Sequence, residues 1–105
     1  MKIFFSDSET GARRDAYEAD LDEAIDVFYE LSDLKGSFFG LVNDSGKIVQ
    51  FAWMDNDKWT INIPLPERLG ALHKFGDYET CQQVIIDYFN GISPELLDGL
   101  EFEEF

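Results

Sequence analysis

The sequence predicts an α+β fold, in which two main helices pack on an antiparallel β-sheet made of a short N-terminal strand and a three-stranded meander. Three segments rich in aromatic and β-branched residues, separated by turn residues, predict the meander. Two stretches in which apolar residues recur every three or four positions predict the helices. Hydrophobic residues make up 45% of the 105 residues. That share is enough for one core, so we expect a single globular domain over residues 1–105.

The first predicted elements are a strand and an acidic helix. Residues 2–5, KIFF, have strand composition, and the polar residues that follow, rich in Ser, Asp and Gly, predict a loop. The helix is expected at about 20–34, with Asp20 as its N-cap, although Asp15 offers an equivalent cap about one turn earlier. Gly36 is suited to close the far end of this helix.

The meander follows the helix. Its predicted strands are residues 37–42 (SFFGLV), 47–54 (KIVQFAWM) and 58–63 (KWTINI). In the third strand Trp59 and Ile61 alternate with polar residues, which is the period of a sheet with one buried side. We therefore expect the helices to cover that side. Trp53 would face Trp59 across the hairpin, and we interpret the pair as core residues, with an interface anchor as the alternative.

The last third of the chain predicts a loop, a second helix and a short helical turn. Pro64 should end the third meander strand, and the Gly and Pro content of residues 64–76 predicts a long, irregular, functional-looking loop. Asp77 can cap a second helix, whose apolar positions recur at helical spacing as far as Asn90-Gly91. Pro94, directly after a serine cap, predicts one further helical turn at the C-terminal end.

The net charge limits the classes of partner. The chain carries 22 acidic against 8 basic residues, which gives a formal charge of −14. Such a protein repels nucleic acid and anionic membranes, so neither is expected to bind it directly. We expect a basic protein partner, in a 1:1 complex with a monomer of this chain. The alternative is that the acidity only keeps an aromatic-rich domain soluble.

The distribution of the acids favours a binding surface. On a helical wheel five acidic residues of the first helix fall within an arc of about 100°, opposite its apolar side. They are Asp22, Glu23, Asp26, Glu30 and Asp33. Like charges at i, i+4 cost about 0.2–0.5 kcal/mol each, and a solvated helix face usually mixes both signs. Solubility alone does not require this arrangement, so we predict that the stripe binds a partner.

The C-terminal residues alternate acids with phenylalanine. Glu101, Phe102, Glu103 and Glu104 form either an exposed aromatic and acidic hook for a partner or a segment whose rings tuck onto the core. We include these four residues in the predicted partner-binding set. The chain from Phe75 onwards contains no base, so this acidic region could merge with the acidic helix in the fold.

The sequence contains few residues of the types that catalysis and metal binding most often use. His73 is the only histidine, and Cys81, the only cysteine, lies on the apolar stripe of the second helix, where a core role is expected. The sequence contains neither a calcium-binding loop nor a zinc-binding spacing nor a phosphate-binding glycine loop. We therefore predict no catalytic residue, no metal and no cofactor. No secretory signal or membrane-spanning segment is evident, and a cytoplasmic location is expected.

Residues 36–91 resemble immunity protein family one of bacterial polymorphic toxin systems. The resemblance rests on the run GSFFGLVNDSGKIVQFAWMDNDKWTINIPLPERLG and on the helix that ends VIIDYFNG. It implies a small α+β protein that binds and neutralises a cognate toxin, often one related to nucleic-acid deaminases, and that has no enzymatic activity of its own. Gln50, Trp59 and Pro64 are carried over as markers of the fold only. The acidic helix and the tail lie outside the matching stretch, and their role as toxin contacts is inferred from charge.

Two other functions compete with this interpretation. A general nucleic-acid mimic would use the same acidic stripe to titrate several DNA- or RNA-binding proteins, with an affinity that collapses in salt. A small enzyme or ligand-binding domain would use residues 64–76 as a lid, and it would need a pocket with perturbed titratable groups.

Overall fold

The computed structural model describes residues 1–31, 34–54 and 58–105. Within these ranges the chain forms seven strands and two α-helices, which confirms the predicted α+β class. The strands are β1 Lys2–Ser6, β2 Arg13–Glu18, β3 Phe38–Val42, β4 Ile48–Met54, β5 Lys58–Leu65, β6 Gly70–Gly76 and β7 Glu101–Glu104. The helices are α1 Leu21–Glu30 and α2 Tyr78–Phe89, and short 3-10 turns lie at Pro66–Arg68 and Pro94–Leu96.

All seven strands join one sheet in the order β2-β1-β3-β4-β5-β6-β7, and each neighbouring pair is antiparallel. Alternate residues point to opposite sides. The helix-covered face is the side that packs against α1 and α2. It carries apolar side chains such as Ile3, Phe39, Val49, Phe51 and Ile61, all of them fully buried. The other side is called the open face, because neither helix packs on it.

Phe28 of α1 joins the helices to the sheet. Its ring lies within 5.6 Å, centroid to centroid, of the rings of Phe39, Phe51, Trp59 and Tyr78. Those four rings come from β3, β4, β5 and α2, so one side chain connects four elements of the core. Burial of a phenylalanine side chain contributes about 1.5–3 kcal/mol.

The polar loop predicted after the first strand is shorter than expected, because the unpredicted strand β2 begins at Arg13. The turn before β2 is closed locally: the amide of Asp7 donates to the carbonyl of Ala12 at 2.8 Å, and Asp7 Oδ1 accepts from the amide of Glu9 at 2.9 Å. β2 is an exposed edge strand and lacks the alternating apolar pattern by which strands are recognised in sequence.

The predicted loop at residues 64–76 is wrong. Strand β5 continues through Pro64, and β6 then returns alongside it. Pro64 is tolerated because β5 pairs with β4 only from Lys58 to Asn62, so the missing amide of Pro64 faces no partner strand on that side. Gly70 is needed for close packing and not for a turn. A Cβ at this position would lie 2.5 Å from the carbonyl oxygen of Glu103 in the neighbouring strand.

Both predicted helix caps are confirmed, and one further boundary, the end of the first helix, differs from the prediction. Asp20 caps α1, accepting from the amide of Glu23 at 2.8 Å, whereas Asp15 lies in β2 and caps nothing. The helix ends at Glu30 and not near residue 34, because Leu31 turns to an extended backbone and is buried. The second predicted cap is confirmed, since Asp77 accepts from the amide of Thr80 at 2.8 Å. This bond is the main reason that the pKa of Asp77 is lowered.

Candidate functional site

The acidic stripe predicted on the first helix is exposed to solvent. We use the name acidic stripe for Asp22, Glu23, Asp26 and Glu30 of α1, all of which are exposed. The fifth predicted member, Asp33, lies outside the described residues. The opposite side of α1 buries Ala24 and Phe28, as its amphipathic pattern predicts. The core therefore fixes which side of the helix the carboxylates occupy.

These carboxylates lack local neutralisation. Among the ion pairs formed within the described residues, none involves Asp22, Glu23, Asp26 or Glu30. Acids in the first turn of a helix interact well with its dipole, but Glu30 lies in the last turn, where cations are preferred and where α1 has no base. The i, i+4 pairs Asp22–Asp26 and Asp26–Glu30 each cost about 0.2–0.5 kcal/mol.

One base lies near the N-terminal end of the stripe. The guanidinium of Arg14 stacks 3.5 Å from the centroid of the Tyr17 ring. The pKa of Tyr17 is raised, mainly by burial and then by the nearby charge of Glu23, while Arg14 acts in the opposite direction. Glu23 therefore shares its surroundings with a cation, without forming an ion pair. The more uniform part of the negative surface consists of Asp22, Asp26 and Glu30.

Tyr29 is an aromatic residue of the same surface that the sequence interpretation missed. At 100° per residue it falls next to Asp22 and Asp26 on the helical wheel, and 73% of its surface is exposed. Its ring makes an edge contact with Tyr78, with centroids 5.9 Å apart. Tyr78 thus supports one edge of the Tyr29 ring, and most of the rest of the side chain faces solvent. The helical wheel that identified the acids could have identified it, because Tyr29 falls about 20° beyond the end of their arc, next to Asp22.

The C-terminal acids form an ordered edge strand. β7 pairs with β6, and the amide of Phe105 donates to the carbonyl of Leu69 at 3.0 Å. Phe102 is 38% exposed and lies under the guanidinium of Arg68, 4.3 Å from its ring centroid. Of the two alternatives considered for this segment, neither describes it fully: Phe102 packs in part, whereas Phe105 is 81% exposed.

The two acidic regions do not merge. Glu101 lies opposite His73 in the β6–β7 register and Glu103 lies opposite Ala71, which places both glutamates on the open face. Glu103 Oε2 is 3.2 Å from Nε2 of His73 on that face. The acidic stripe lies on the outer surface of the helices, on the other side of the sheet. Glu101 and Glu103 therefore lie on a different surface from the acidic stripe, whereas Phe102 and Glu104 alternate to the helix-covered side of the sheet.

Two residues were considered for catalysis, Cys81 and His73. The first lies in the core and the second lies in strand β6. Cys81 is fully buried in the core, and burial raises the pKa of its thiol to about 12, so it is not a nucleophile near neutral pH. His73 lies in β6 between Asn62 and Glu101 in the strand registers, and its Nε2 is 3.2 Å from Oε2 of Glu103. Within the described residues no group of three or more potential metal ligands lies together. Trp59 is buried and meets Trp53 edge-on, as expected of core residues.

Comparison with known proteins finds no significant match to this chain. The chain matches no protein-family model, and neither curated proteins nor solved structures show significant similarity to it. The likeness to immunity proteins thus stays a prediction from sequence. Among the described residues, no helix has both the length and the apolar character needed to cross a bilayer.

Proposed function

We propose that this protein is a cytoplasmic immunity protein that binds and neutralises a bacterial toxin domain with a basic surface, and that it has no catalytic activity of its own. The toxin class that fits best acts on nucleic acid, as a deaminase or a nuclease. The acidic stripe of α1 is the contact surface, and the complex contains one copy of each protein.

The observation that carries this proposal is that Asp22, Asp26 and Glu30 are exposed on a helix packed against the core and form no ion pair within the described residues. These charges repel one another, and Glu30 opposes the helix dipole, so the arrangement costs stability in the free protein. A cationic partner surface removes that cost. The stripe is therefore better suited to a complex than to the isolated chain.

The chemistry of the partner follows from the chemistry of the stripe. An enzyme that acts on DNA or RNA needs a cationic groove for the phosphates, and a row of carboxylates can occupy such a groove in their place. Complementary charge also raises the association rate, up to about 10⁸–10⁹ M⁻¹s⁻¹ at low salt. Fast capture suits an inhibitor that must bind a toxin before it acts.

Tyr29 supplies the specificity that charge alone lacks. Exposed aromatic residues held in a fixed orientation are common among residues that dominate binding energy. Tyr29 is supported by Tyr78, is followed by Glu30 in sequence and lies next to Asp22 on the helical wheel. It can enter an apolar pocket of one partner while the carboxylates contact the surrounding bases. This combination favours one cognate partner over basic proteins in general.

The proposal predicts that the adjacent upstream gene encodes a toxin domain, and co-expression with that domain tests it. The wild-type chain should protect cells, and the variant Asp22→Lys/Asp26→Lys/Glu30→Lys should not. A matched control changes the exposed acids Glu9, Asp44 and Glu67 to Lys, which alters the net charge equally but away from α1. Loss of protection in both variants, or in neither, would contradict the role of the stripe.

The second candidate, a general nucleic-acid mimic, is favoured by the same unpaired carboxylates. The two functions differ in breadth and in salt dependence. A mimic should bind many basic proteins and release them as salt rises, because its affinity comes from charge. An immunity protein should retain one partner at high salt, because Tyr29 and the contacts around it do not depend on ionic strength. Binding of unrelated DNA-binding proteins with similar affinity would favour the mimic.

A further inference from the structure

The open face of the sheet displays a row of side chains that the proposed function does not use. Phe38, Ala52, Thr60 and Phe75 lie side by side across β3, β4, β5 and β6 in the strand registers. The two rings are 37% and 56% exposed. Adjacent strands are about 4.8 Å apart, so the rings stand about 14 Å from each other with two small side chains between them.

This row forms a trough with apolar walls. Ala52 and Thr60 make its floor, and Phe38 and Met54 form part of its sides, around a depression of about 450 Å³. Ala52 is exposed, and in the described parts of the chain neither helix nor loop covers the floor. The ring of Phe4 packs beside Phe38, 6.3 Å away between centroids, and supports this wall. A depression of this volume can admit one large apolar side chain.

Hydrogen-bonding groups border the trough. In the next row across the sheet, Gln50 Nε2 donates to Asn62 Oδ1 at 3.2 Å. Within the described residues that bond leaves the side-chain oxygen of Gln50 available as an acceptor and the side-chain nitrogen of Asn62 available as a donor. A peptide group offers the complementary donor and acceptor. The pair is therefore equipped to bind the backbone beside an inserted side chain.

The open face carries charge at two ends: the exposed Lys58 lies opposite Met54 at the hairpin end, and the β7 end carries carboxylates, which indicate what kind of segment fits there. Continuing along the row of Gln50 and Asn62, the register leads to His73 and then to Glu101. Glu103 is paired with His73, whereas Glu101 is exposed and makes no ion pair within the described residues. Phe75 lies diagonally from Glu101 and presents an exposed ring. An arginine or lysine placed here would meet a carboxylate and an aromatic face together.

We propose that the open face is a second docking surface, and that it binds a segment of a protein that carries an apolar anchor residue next to an arginine or lysine. The anchor enters the trough over Ala52 and Thr60, and the cation lies between Glu101 and Phe75. This surface does not rest on the proposed function, because it lies across the sheet from the acidic stripe. A second copy of this chain is disfavoured as the occupant, since two molecules of charge −14 repel each other.

The test is selection from a random-peptide library displayed on phage, with the full-length protein as bait. We expect enriched peptides that combine an aromatic or aliphatic residue with a nearby arginine or lysine. Thr60→Arg fills the trough with a large cation and should weaken their binding by at least about tenfold. Glu101→Lys should weaken it too. The matched control is Gln83→Arg on α2, which adds the same charge on the helix side and should leave binding unchanged.

Each result of this selection decides the proposal. Failure to enrich any peptide would overturn it, and so would peptides whose binding survives Thr60→Arg. Peptides that instead lose binding in the Asp22→Lys/Asp26→Lys/Glu30→Lys variant would place the docking surface on α1, which overturns this inference and supports the proposed function. Thermal unfolding of Thr60→Arg must match that of the wild type, and Ala52→Arg provides a second variant that blocks the floor if it does not.

Discussion

The ring of Phe28 lies 4.8 Å from the ring of Trp59, centroid to centroid, and this contact connects α1 to β5 across the core. Phe28 is 1% exposed, whereas Tyr29, the next residue, is 73% exposed. The helix therefore carries a core anchor and a surface aromatic side by side. Phe28 therefore contributes to the stability of the fold, whereas Tyr29 is available for contacts on the outer surface.

Truncation of these two neighbours should have very different effects on stability. Phe28→Ala leaves a cavity among four rings and should lower the free energy of unfolding by about 3–5 kcal/mol. Tyr29→Ala removes an exposed side chain with one edge contact and should cost less than about 1 kcal/mol. Urea denaturation followed by tryptophan fluorescence measures both. Similar losses in the two variants would show that the α1 orientation described here is wrong.

The stability of the fold should require glycine at position 40 only because the ring of Phe4 lies over this position. A Cβ at Gly40 would overlap the Phe4 ring on the open face. We expect Gly40→Ala to destabilise the protein by about 1–3 kcal/mol through overpacking. In a Phe4→Ala background the same substitution should be nearly neutral, because the ring is gone. A double-mutant cycle from thermal or urea unfolding gives the coupling, and additive effects would contradict this packing.

The thiol of Cys81 should be protected until the protein unfolds. Burial raises the pKa of this thiol from its ordinary value of 9.0 to about 12. Because the folded state binds this proton more tightly than the unfolded state does, its contribution to stability is complete below about pH 9 and is lost as the pH rises towards 12. Labelling with a thiol reagent should therefore be slow in buffer and fast in urea. In Cys81→Ala part of the alkaline loss of stability should disappear, and an unchanged alkaline profile would contradict the assignment.

The acidic stripe and Tyr29 should affect different rate constants of partner binding. Asp26→Lys should lower the association rate, and the effect should fade as salt is added. Tyr29→Ala should instead raise the dissociation rate, with a cost of about 2 kcal/mol or more if the ring fills a partner pocket. Surface plasmon resonance with the toxin domain, at low and high salt, measures both rates. A purely salt-sensitive effect of Tyr29→Ala would remove its role as an anchor.

The sequence predicts the parts of the fold that have strong periodicity. Both helices, their caps at Asp20 and Asp77, and the three meander strands follow from local chemistry and alternate burial. β2 and β7 were missed because edge strands expose most of their side chains and lack that pattern. β6 was missed because Gly70 is read as a turn residue, although it is required by the close approach of β7.

The candidate site could be predicted only in part. The side of α1 that carries Asp22, Asp26 and Glu30 follows from the helical wheel, because the apolar side must face the core. The separation of Glu101 from this stripe depends on the pairing of β7 with β6, a contact between residues distant in sequence. The trough on the open face depends on the registers of four strands, and no local pattern specifies them.

The most direct measurement of the central claim is the dissociation constant of the complex with the purified toxin domain encoded upstream. For Asp22→Lys/Asp26→Lys/Glu30→Lys we expect a rise of about 100-fold, since each reversed charge costs about 1 kcal/mol or more at a screened surface. The Glu9→Lys/Asp44→Lys/Glu67→Lys control should change the constant by less than about tenfold. An equal weakening in both variants, or an unchanged constant in the first, would contradict the claim that the acidic stripe of α1 is the surface that binds the partner.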